Sequence, residues 1–186
     1  MQNDIEEIPF NWKRINKEVY SANSNIISTD FAEINRLKKE VLSTPYNRIR
    51  LCAHQNADDL LHEMLIVIAQ GSYVRPHKHI NKSESFHIIE GMLDVIIFND
   101  NGDIIEIIPM GKPSSGRKFF YRLSMSWFHT LVLRTKVVVF HETTNGPFIK
   151  ENTICAPWSP EPGDPIQENK FMKELEAKIE FYMLGK

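Results

Sequence analysis

Two histidines and a glutamate in one short segment have the spacing of a metal site. The segment GSYVRPHKHINKSESFHIIEG runs from residue 71 to 91 and carries His77, His79 and Glu84 between two glycines. Side chains two positions apart on an extended chain point to the same side, so both imidazoles face one way, and Glu84 returns on the next strand. Imidazole and carboxylate groups are ligands for divalent transition metals. The spacing therefore predicts a metal site built on two neighbouring strands of a small β-barrel.

The elements that must position these residues are mostly strands. Short β-branched or aromatic runs follow one another from residue 46 onward and are separated by turn residues. They read HEMLIVIA, SFHIIEG, MLDVIIF, DIIEIIP, KFFYRLS, HTLVLR and KVVVFHET. The NDNG segment at 99–102 predicts a hairpin, because Asn-Gly accepts the positive φ angles of a tight turn. Seven or more strands without intervening helices predict an all-β sandwich or barrel.

A helix is predicted on each side of the strands, which divides the chain into 1–45, 46–150 and 151–186. The first helix covers 30–42, with a capping box formed by Asp30 and Glu33. Its expected apolar face is Phe31, Ile34, Leu37, Val41 and Leu42. The second helix covers NKFMKELEAKIEFYML, after an extended Pro- and Gly-rich tail, and is expected to pack on the barrel or on a second subunit. Its expected face is Met172, Leu175, Ile179 and Tyr182.

Composition excludes several classes of function. The 186 residues have a net charge of −2 and a pI near 6.4, which gives no electrostatic case for nucleic acid or an anionic membrane surface. The apolar runs are too short to span a bilayer. The N-terminal MQNDIEEIPF lacks the apolar core of a signal peptide, and Cys52 and Cys155 form no Cys-x-x-Cys pair. We therefore expect a cytoplasmic protein with reduced thiols.

Residues 71–91 resemble the first motif of the cupins, in which Gly, His-x-His, Glu and Gly occur at these offsets. Cupins are double-stranded β-helix (jelly-roll) barrels. The resemblance implies a fourth ligand from a second motif, and the matching residue is His129 in SMSWFHTLVL. The Pro and Gly that usually precede this histidine, and the Asn that follows it, are replaced by Ser124, Ser126 and Leu133. The fold class implied is a single-domain, all-β cupin barrel with an N-terminal and a C-terminal helix.

A narrower resemblance covers residues 30–165. RIRLCAH, GSYVRPHKH, the spacing from Glu142 to GPF at 146–148, and APWSP at 156–160 look like the WbuC-type cupin-fold metalloproteins. Those proteins are bacterial and are often encoded among polysaccharide and O-antigen biosynthesis genes. The resemblance implies a metal-dependent role in making surface polysaccharide. It also favours Glu142, rather than the adjacent His141, as the pocket residue that acts as an acid or base.

Basic and aromatic residues near the motif are candidates for holding a substrate. Arg48 and Arg50 would face one side of a strand, where they could bind a carboxylate or phosphate; a solvated edge strand is the alternative. We also predict His54, Arg75 and Trp127 as substrate-binding residues. RKFFYR at 117–122 either stacks on a sugar or forms an ordinary amphipathic strand, and His87 should lie outside the metal ligands.

The predicted cofactor is one divalent ion (Fe, Mn, Ni, Zn or Co), because these ligand types do not choose among them. The first functional hypothesis is an isomerase, epimerase or lyase that acts on a sugar or sugar nucleotide through Lewis-acid chemistry. The second is an Fe(II)-dependent dioxygenase, which a purely hydrophobic pocket would favour. The third is a cupin that binds a ligand without converting it. Cupins commonly pair, so we expect a homodimer with a small-molecule ligand.

Overall fold

The computed structural model describes residues 12–185 and contains twelve strands and two α-helices in that range. The N-terminal stretch that bears on a signal peptide lies outside the described residues. The strands are β1 Trp12–Arg14, β2 Val19–Ala22, β3 Arg48–Cys52, β4 Leu61–Ala69, β5 His77–His79, β6 Glu84–Glu90, β7 Met92–Phe98, β8 Ile104–Gly111, β9 Phe120–Leu123, β10 Phe128–Leu133, β11 Val137–Asn145 and β12 Thr153–Cys155. The helices are α1 Phe31–Glu40 and α2 Pro165–Leu184.

Two sheets face each other and enclose a common core. One has seven strands in the order β1-β2-β3-β4-β11-β6-β9, and the other has five in the order β12-β5-β10-β7-β8. Only β2 and β3 pair in parallel among these strands. The core draws on both sheets, with Ile66, Phe86 and Phe140 from one and Val95 and Leu131 from the other. The protein is therefore an all-β, single-domain jelly-roll barrel of the cupin type, as the sequence predicts.

Both faces of the sheets are apolar, which explains the nearly continuous apolar runs in the sequence. On β7, Leu93 and Val95 point into the barrel, while Ile96 and Phe98 point outward into a cluster with Leu175 and Ile179 of α2. α2 thus covers the outside of the five-stranded sheet, so its predicted packing on the barrel is confirmed. It begins four residues before the predicted start, because Asp164 caps it and Pro165 occupies its first turn.

α1 covers the outside of the seven-stranded sheet. The Asp30 side chain accepts a hydrogen bond from the Glu33 backbone N–H at 2.9 Å, which confirms the predicted cap. Ile34, Leu37 and Val41 are buried, but Phe31 and Leu42 are exposed, against the prediction for that helix face. The helix ends at Glu40 and continues as a tighter 3-10 turn, and this change of twist carries Leu42 away from the sheet.

Strands that the sequence did not predict extend both sheets beyond 46–150. β1 and β2 lie in the N-terminal extension, and β2 pairs with β3. β12 lies in the C-terminal tail and pairs with β5, the strand of the His-x-His motif. The tail is therefore part of the sheet that carries the candidate ligands.

Gly91 lets the chain turn from β6 into β7 behind the motif. Its φ is +82°, and a Cβ at this position would lie 2.4 Å from the Val137 carbonyl oxygen. The predicted hairpin between β7 and β8 is also present, and Gly102 adopts a φ of +85° in its turn.

Candidate metal centre

The four predicted metal ligands come together inside the barrel. His77 and His79 lie on β5, and His129 on β10 is the direct partner of His77 across the antiparallel pair. Glu84 begins β6 in the facing sheet. The residue between the two β5 histidines, Lys78, points away from this group and binds Asp100 at 2.6 Å. Strand alternation therefore brings the three rings to one side, as the sequence predicts.

The distances among these groups fit a single ion. The ligand nitrogens of the three histidines lie within 4.8 Å of one another. Glu84 Oε1 lies 3.0 Å from His129 Nε2, and Glu84 Oε2 lies 3.6 Å from His79 Nε2. Donor atoms that share an ion through bonds of about 2.1 Å stand roughly 3 Å apart at right angles and roughly 4 Å apart when opposite. The group therefore has the size of a first coordination shell.

One buried nitrogen of this group has no hydrogen-bond partner. His129 is 2% exposed, and its Nε2 accepts or donates no hydrogen bond among the described residues despite the 3.0 Å approach of Glu84. An unpaired buried polar atom is costly, and a cation between the ring nitrogen and the carboxylate would remove that cost. This unpaired nitrogen therefore indicates that the residues of the site fit a divalent metal ion.

The other ring nitrogens are held so that Nε2 faces the centre. His77 Nδ1 lies 2.8 Å from the Arg75 carbonyl oxygen, and His129 Nδ1 lies 3.2 Å from the Trp127 carbonyl oxygen. A carbonyl only accepts, so Nδ1 carries the proton in both rings and Nε2 keeps its lone pair. His79 Nδ1 lies 3.1 Å from Thr153 Oγ1 on β12. Such outer contacts fix the orientation of ligating histidines.

The electrostatics favour neutral imidazole beside ionised carboxylate. Burial and, after it, the neighbouring His129 lower the pKa of His77 to about 3. Burial alone would raise the pKa of Glu84, but His129 and the other histidines outweigh it and the pKa falls. Burial would likewise lower the pKa of His129, yet the Glu84 carboxylate raises it on balance. A metal bound at Nε2 would compete with a second proton on the His129 ring.

A cavity of about 630 Å³ adjoins this group. Its lining includes the four candidate ligands and three of the predicted substrate-binding residues, Arg48, Arg50 and His54. The His54 ring is stacked on His62 at 4.0 Å. Apolar side chains such as Ile66, Ile68 and Phe140 form the rest of the wall. The cavity has the size of a small-molecule site and mixes charged with apolar surface.

Glu142 lines the cavity from β11, whereas the adjacent His141 faces Glu63 at 3.7 Å on the other side of the sheet. Burial and, after it, the charge of Glu84 raise the pKa of Glu142 to about 7, against the opposing effect of Arg50. This carboxyl group can therefore exist in either protonation state near neutral pH.

Arg75 and Trp127 lie outside the lining of the cavity, in contrast to their predicted contact with substrate. The Arg75 guanidinium binds the C-terminal tail, at 3.2 Å from both Ser159 Oγ and Glu161 Oε1. The Trp127 side chain is 40% exposed. Both residues serve the site through their carbonyl oxygens, which orient His77 and His129. His87 is exposed and stands away from the metal group, as predicted.

The sequence did not predict two residues that lie beside the candidate ligands. The Tyr121 hydroxyl donates to Glu84 Oε1 at 3.4 Å, while Phe119 and Phe120 of the same basic-aromatic segment are exposed. Alternation along β9 could have singled out Tyr121. Thr153, which contacts His79, lies in a tail whose Pro and Gly content gave no strand signal.

We predict that Thr153→Val weakens metal binding about tenfold, because His79 loses the contact that fixes its ring. The measurement is a competition titration of the protein with a metal-binding dye. Thr143→Val on β11, which faces away from the cavity, is the matched control and should leave the affinity unchanged. An unchanged affinity in Thr153→Val would contradict the role of Thr153.

Comparisons with known proteins add no function. Residues 29–110 match the model of a family described as a domain of unknown function, DUF6016. The comparison with curated proteins gives no match. The narrower resemblance to WbuC-type proteins therefore stays a prediction.

Several solved structures are similar at low identity. Procruciferin, an 11S globulin from Brassica napus, is 16% identical with a TM-score of 0.39, over 50% of this chain and 21% of its own. Protein SO0799 from Shewanella oneidensis is 10% identical with a TM-score of 0.45, over 55% and 66%. Oxalate decarboxylase from Bacillus subtilis, in a study of its Mn(II) centres, is 14% identical with a TM-score of 0.42, over 52% and 24%.

In all three cases the chain spans less than two thirds of the neighbour's length. The fold assignment therefore rests on the strand order and shared core of this chain. No helix within residues 12–185 has the length and apolar character needed to cross a membrane. The chain is a cupin-fold protein whose barrel contains three histidines placed to hold one divalent metal ion.

Proposed function

We propose that this protein is a metal-dependent cupin enzyme that isomerises, epimerises or dehydrates a sugar or sugar nucleotide. The observation that carries the proposal is the convergence of His77, His79 and His129 beside Glu84 at the wall of an accessible cavity. A site that served only to stabilise the fold would need no such cavity beside it. The resemblance to WbuC-type proteins supports a sugar-derived substrate from bacterial surface polysaccharide synthesis.

The four ligands would hold one divalent ion, which supplies Lewis-acid polarisation of a substrate oxygen when bound. His77, His79 and His129 would contribute neutral nitrogens and Glu84 a negative charge, so the protein neutralises only part of the ion's charge. The identity of the ion is open among iron, manganese, nickel, zinc and cobalt.

Glu142 is the residue we assign to proton transfer. Its carboxyl group lines the same cavity, and its pKa near 7 lets it both accept and return a proton. In an isomerisation or epimerisation it would take a proton from substrate carbon and deliver it to the neighbouring carbon or to the opposite face through water. In a dehydration it would take that proton or protonate the leaving hydroxyl. His54 and the apolar wall would position the substrate.

A second candidate is an Fe(II)-dependent dioxygenase, which the apolar wall of Ile66, Ile68 and Phe140 favours. The charged residues of the same cavity distinguish it from the purely hydrophobic pocket that would suit this chemistry best. The third hypothesis, a cupin that binds a ligand without converting it, uses the same site. It differs from an enzyme only in that the ligand is released unchanged. A homodimer and a cytoplasmic location stay predictions.

We predict about one equivalent of a transition metal in protein purified without an affinity tag, and its loss in His77→Ala/His79→Ala. Elemental analysis measures both. His87→Ala is the matched control, because His87 is exposed and should leave the metal content intact. If the parent contains no metal, even after loading with Fe(II), Mn(II), Ni(II) and Zn(II), the assignment of a metal centre is wrong.

We predict that metal-loaded protein binds a sugar nucleotide or keto-sugar, and that His77→Ala/His79→Ala binds it at least about tenfold more weakly. Titration calorimetry against a panel of both classes measures the affinity, and product analysis then tests conversion. Binding without conversion would favour a ligand-binding cupin. If no compound of the panel binds and the Fe(II) form consumes oxygen, the dioxygenase hypothesis replaces that of a sugar-modifying enzyme.

We predict that Glu142 makes the metal-free protein less stable as the pH rises. Its folded pKa of about 7 exceeds the ordinary 4.5, so its stabilising contribution is complete below 4.5 and is lost as the pH passes through 7. Relative to Glu142→Gln, the parent should lose on the order of 2 kcal/mol of unfolding free energy across this window. Urea unfolding at several pH values measures it, with Glu106→Gln at an exposed site as control. Parallel pH curves for parent and Glu142→Gln would refute the assignment.

A further inference from the structure

Arg48 and Arg50 point from β3 into the barrel. The residues that alternate with them, Ile49 and Leu51, are buried in the cluster beneath α1, so the two arginines must face the opposite side. Both line the cavity that adjoins the metal group. The alternative of a solvated edge strand does not hold, because β3 lies between β2 and β4.

No carboxylate forms a hydrogen bond with either guanidinium group in the part of the chain that the structure describes, although the Arg48 guanidinium lies 5.4 Å from the centre of the Tyr46 ring. Arg48 Nε is buried without a hydrogen bond, and the nearest carboxylate, that of Glu18, is 3.9 Å away. Glu18 is itself engaged by the Tyr46 backbone N–H at 2.9 Å. Within residues 12–185 no hydrogen bond or ion pair engages the Arg50 side chain. Cationic groups in a low-dielectric wall that lack a counter-ion are stabilised by a bound anion.

The charges that line the cavity do not cancel. Three cationic side chains, Arg48, Arg50 and Lys82, stand against the two carboxyl groups of Glu84 and Glu142. A divalent ion at the histidines would add two more positive charges. The cavity is therefore net positive whether or not Glu142 is ionised, and a concave low-dielectric site concentrates such a field on its contents. A ligand that fills it should be an anion.

The strand register places the charged groups in a fixed order along the barrel. Glu84 is opposite Thr144 on β11, and Glu142 is two residues further along that strand. Across the sheet, Glu142 on β11 is level with Met64 on β4 and with Cys52 on β3. On β3, Arg50 lies two residues from Cys52, and Arg48 lies two residues beyond Arg50. Each such step is about 7 Å. Glu142 therefore lies between the metal group and the arginines.

The wall beside the two arginines is apolar. Ile66 and Ile68 on β4 are the cross-strand partners of Arg50 and Arg48, and Phe140 on β11 pairs with Ile66. All three apolar residues line the cavity. They can cover carbon atoms of a ligand but offer no side-chain hydrogen bonds, so beside them the two arginines supply the charged contacts.

We propose that Arg48 and Arg50 form an anion subsite, and that the natural substrate carries a carboxylate or phosphate group at the end remote from the metal centre. This rests on the proposed function, since it extends the same site to its other end. The planar guanidinium fork suits both acids, and the distance from the metal group requires a substrate that extends past Glu142. The anion thereby fixes which substrate atoms Glu142 can reach.

Three probes that share a phenyl ring test the subsite: benzoate, phenyl phosphate and neutral benzyl alcohol. Titration calorimetry should show that at least one anion binds the parent about tenfold or more tightly than benzyl alcohol does. Arg48→Met/Arg50→Met should lose that preference while its affinity for benzyl alcohol stays the same. Arg122→Met, which changes an exposed arginine outside the cavity, should behave as the parent. The tighter of the two anions identifies carboxylate or phosphate as the preferred group.

Repeating the titrations in the His77→Ala/His79→Ala background separates this proposal from the metal centre. A charge preference that persists there and disappears on changing the arginines supports the subsite, even if no metal is found in the parent. A preference that exists only with metal bound, or one that survives the arginine changes, overturns the subsite and leaves the metal centre standing. Single Arg48→Met and Arg50→Met variants, checked by thermal unfolding, supply the same answer if the double variant does not fold.

Discussion

The pairing of β5 with β10 is the contact on which the candidate site depends. A single residue pair, His77 opposite His129, joins these strands and sets the separation of two ligands. β5 is only three residues long and gains its second neighbour from β12. Because a short strand has little stability of its own, the ligands keep their geometry only while both neighbours hold it. The metal site is thus a property of sheet pairing rather than of one loop.

The helices compensate for the polar groups that the barrel holds in part of its interior. Apolar side chains from both sheets fill much of the interior, and arginines, carboxylates and histidines line its cavity as well. The lost apolar burial is offset outside the sheets, where α1 covers residues such as Ile49 and Val67, and α2 covers Ile96 and Phe98. Each sheet therefore has two buried faces, and the fold does not rely on a dry interior for its stability.

The sequence was sufficient wherever a local rule decides the structure. The alternation of His77 and His79 follows from strand period, and the Asp30 cap follows from helix capping. Strand period allowed either His141 or Glu142 to face inward, and the family resemblance favoured Glu142. The sequence was insufficient where distant segments meet. Arg75 binds Ser159 and Glu161 of the tail, and β12 pairs with β5 at the edge of the sheet. Those outcomes depend on which parts of the chain become neighbours, and no periodicity in one segment contains that information.

The tail contact has a consequence for how the protein is made. Thr153 contacts His79, yet it is separated from the motif by most of the barrel sequence. A chain that emerges from the ribosome from its N-terminus exposes all four candidate ligands before this residue appears. The centre reaches its final form only when the tail has paired with β5. Completion of the site therefore waits for a segment that is translated after all four candidate ligands.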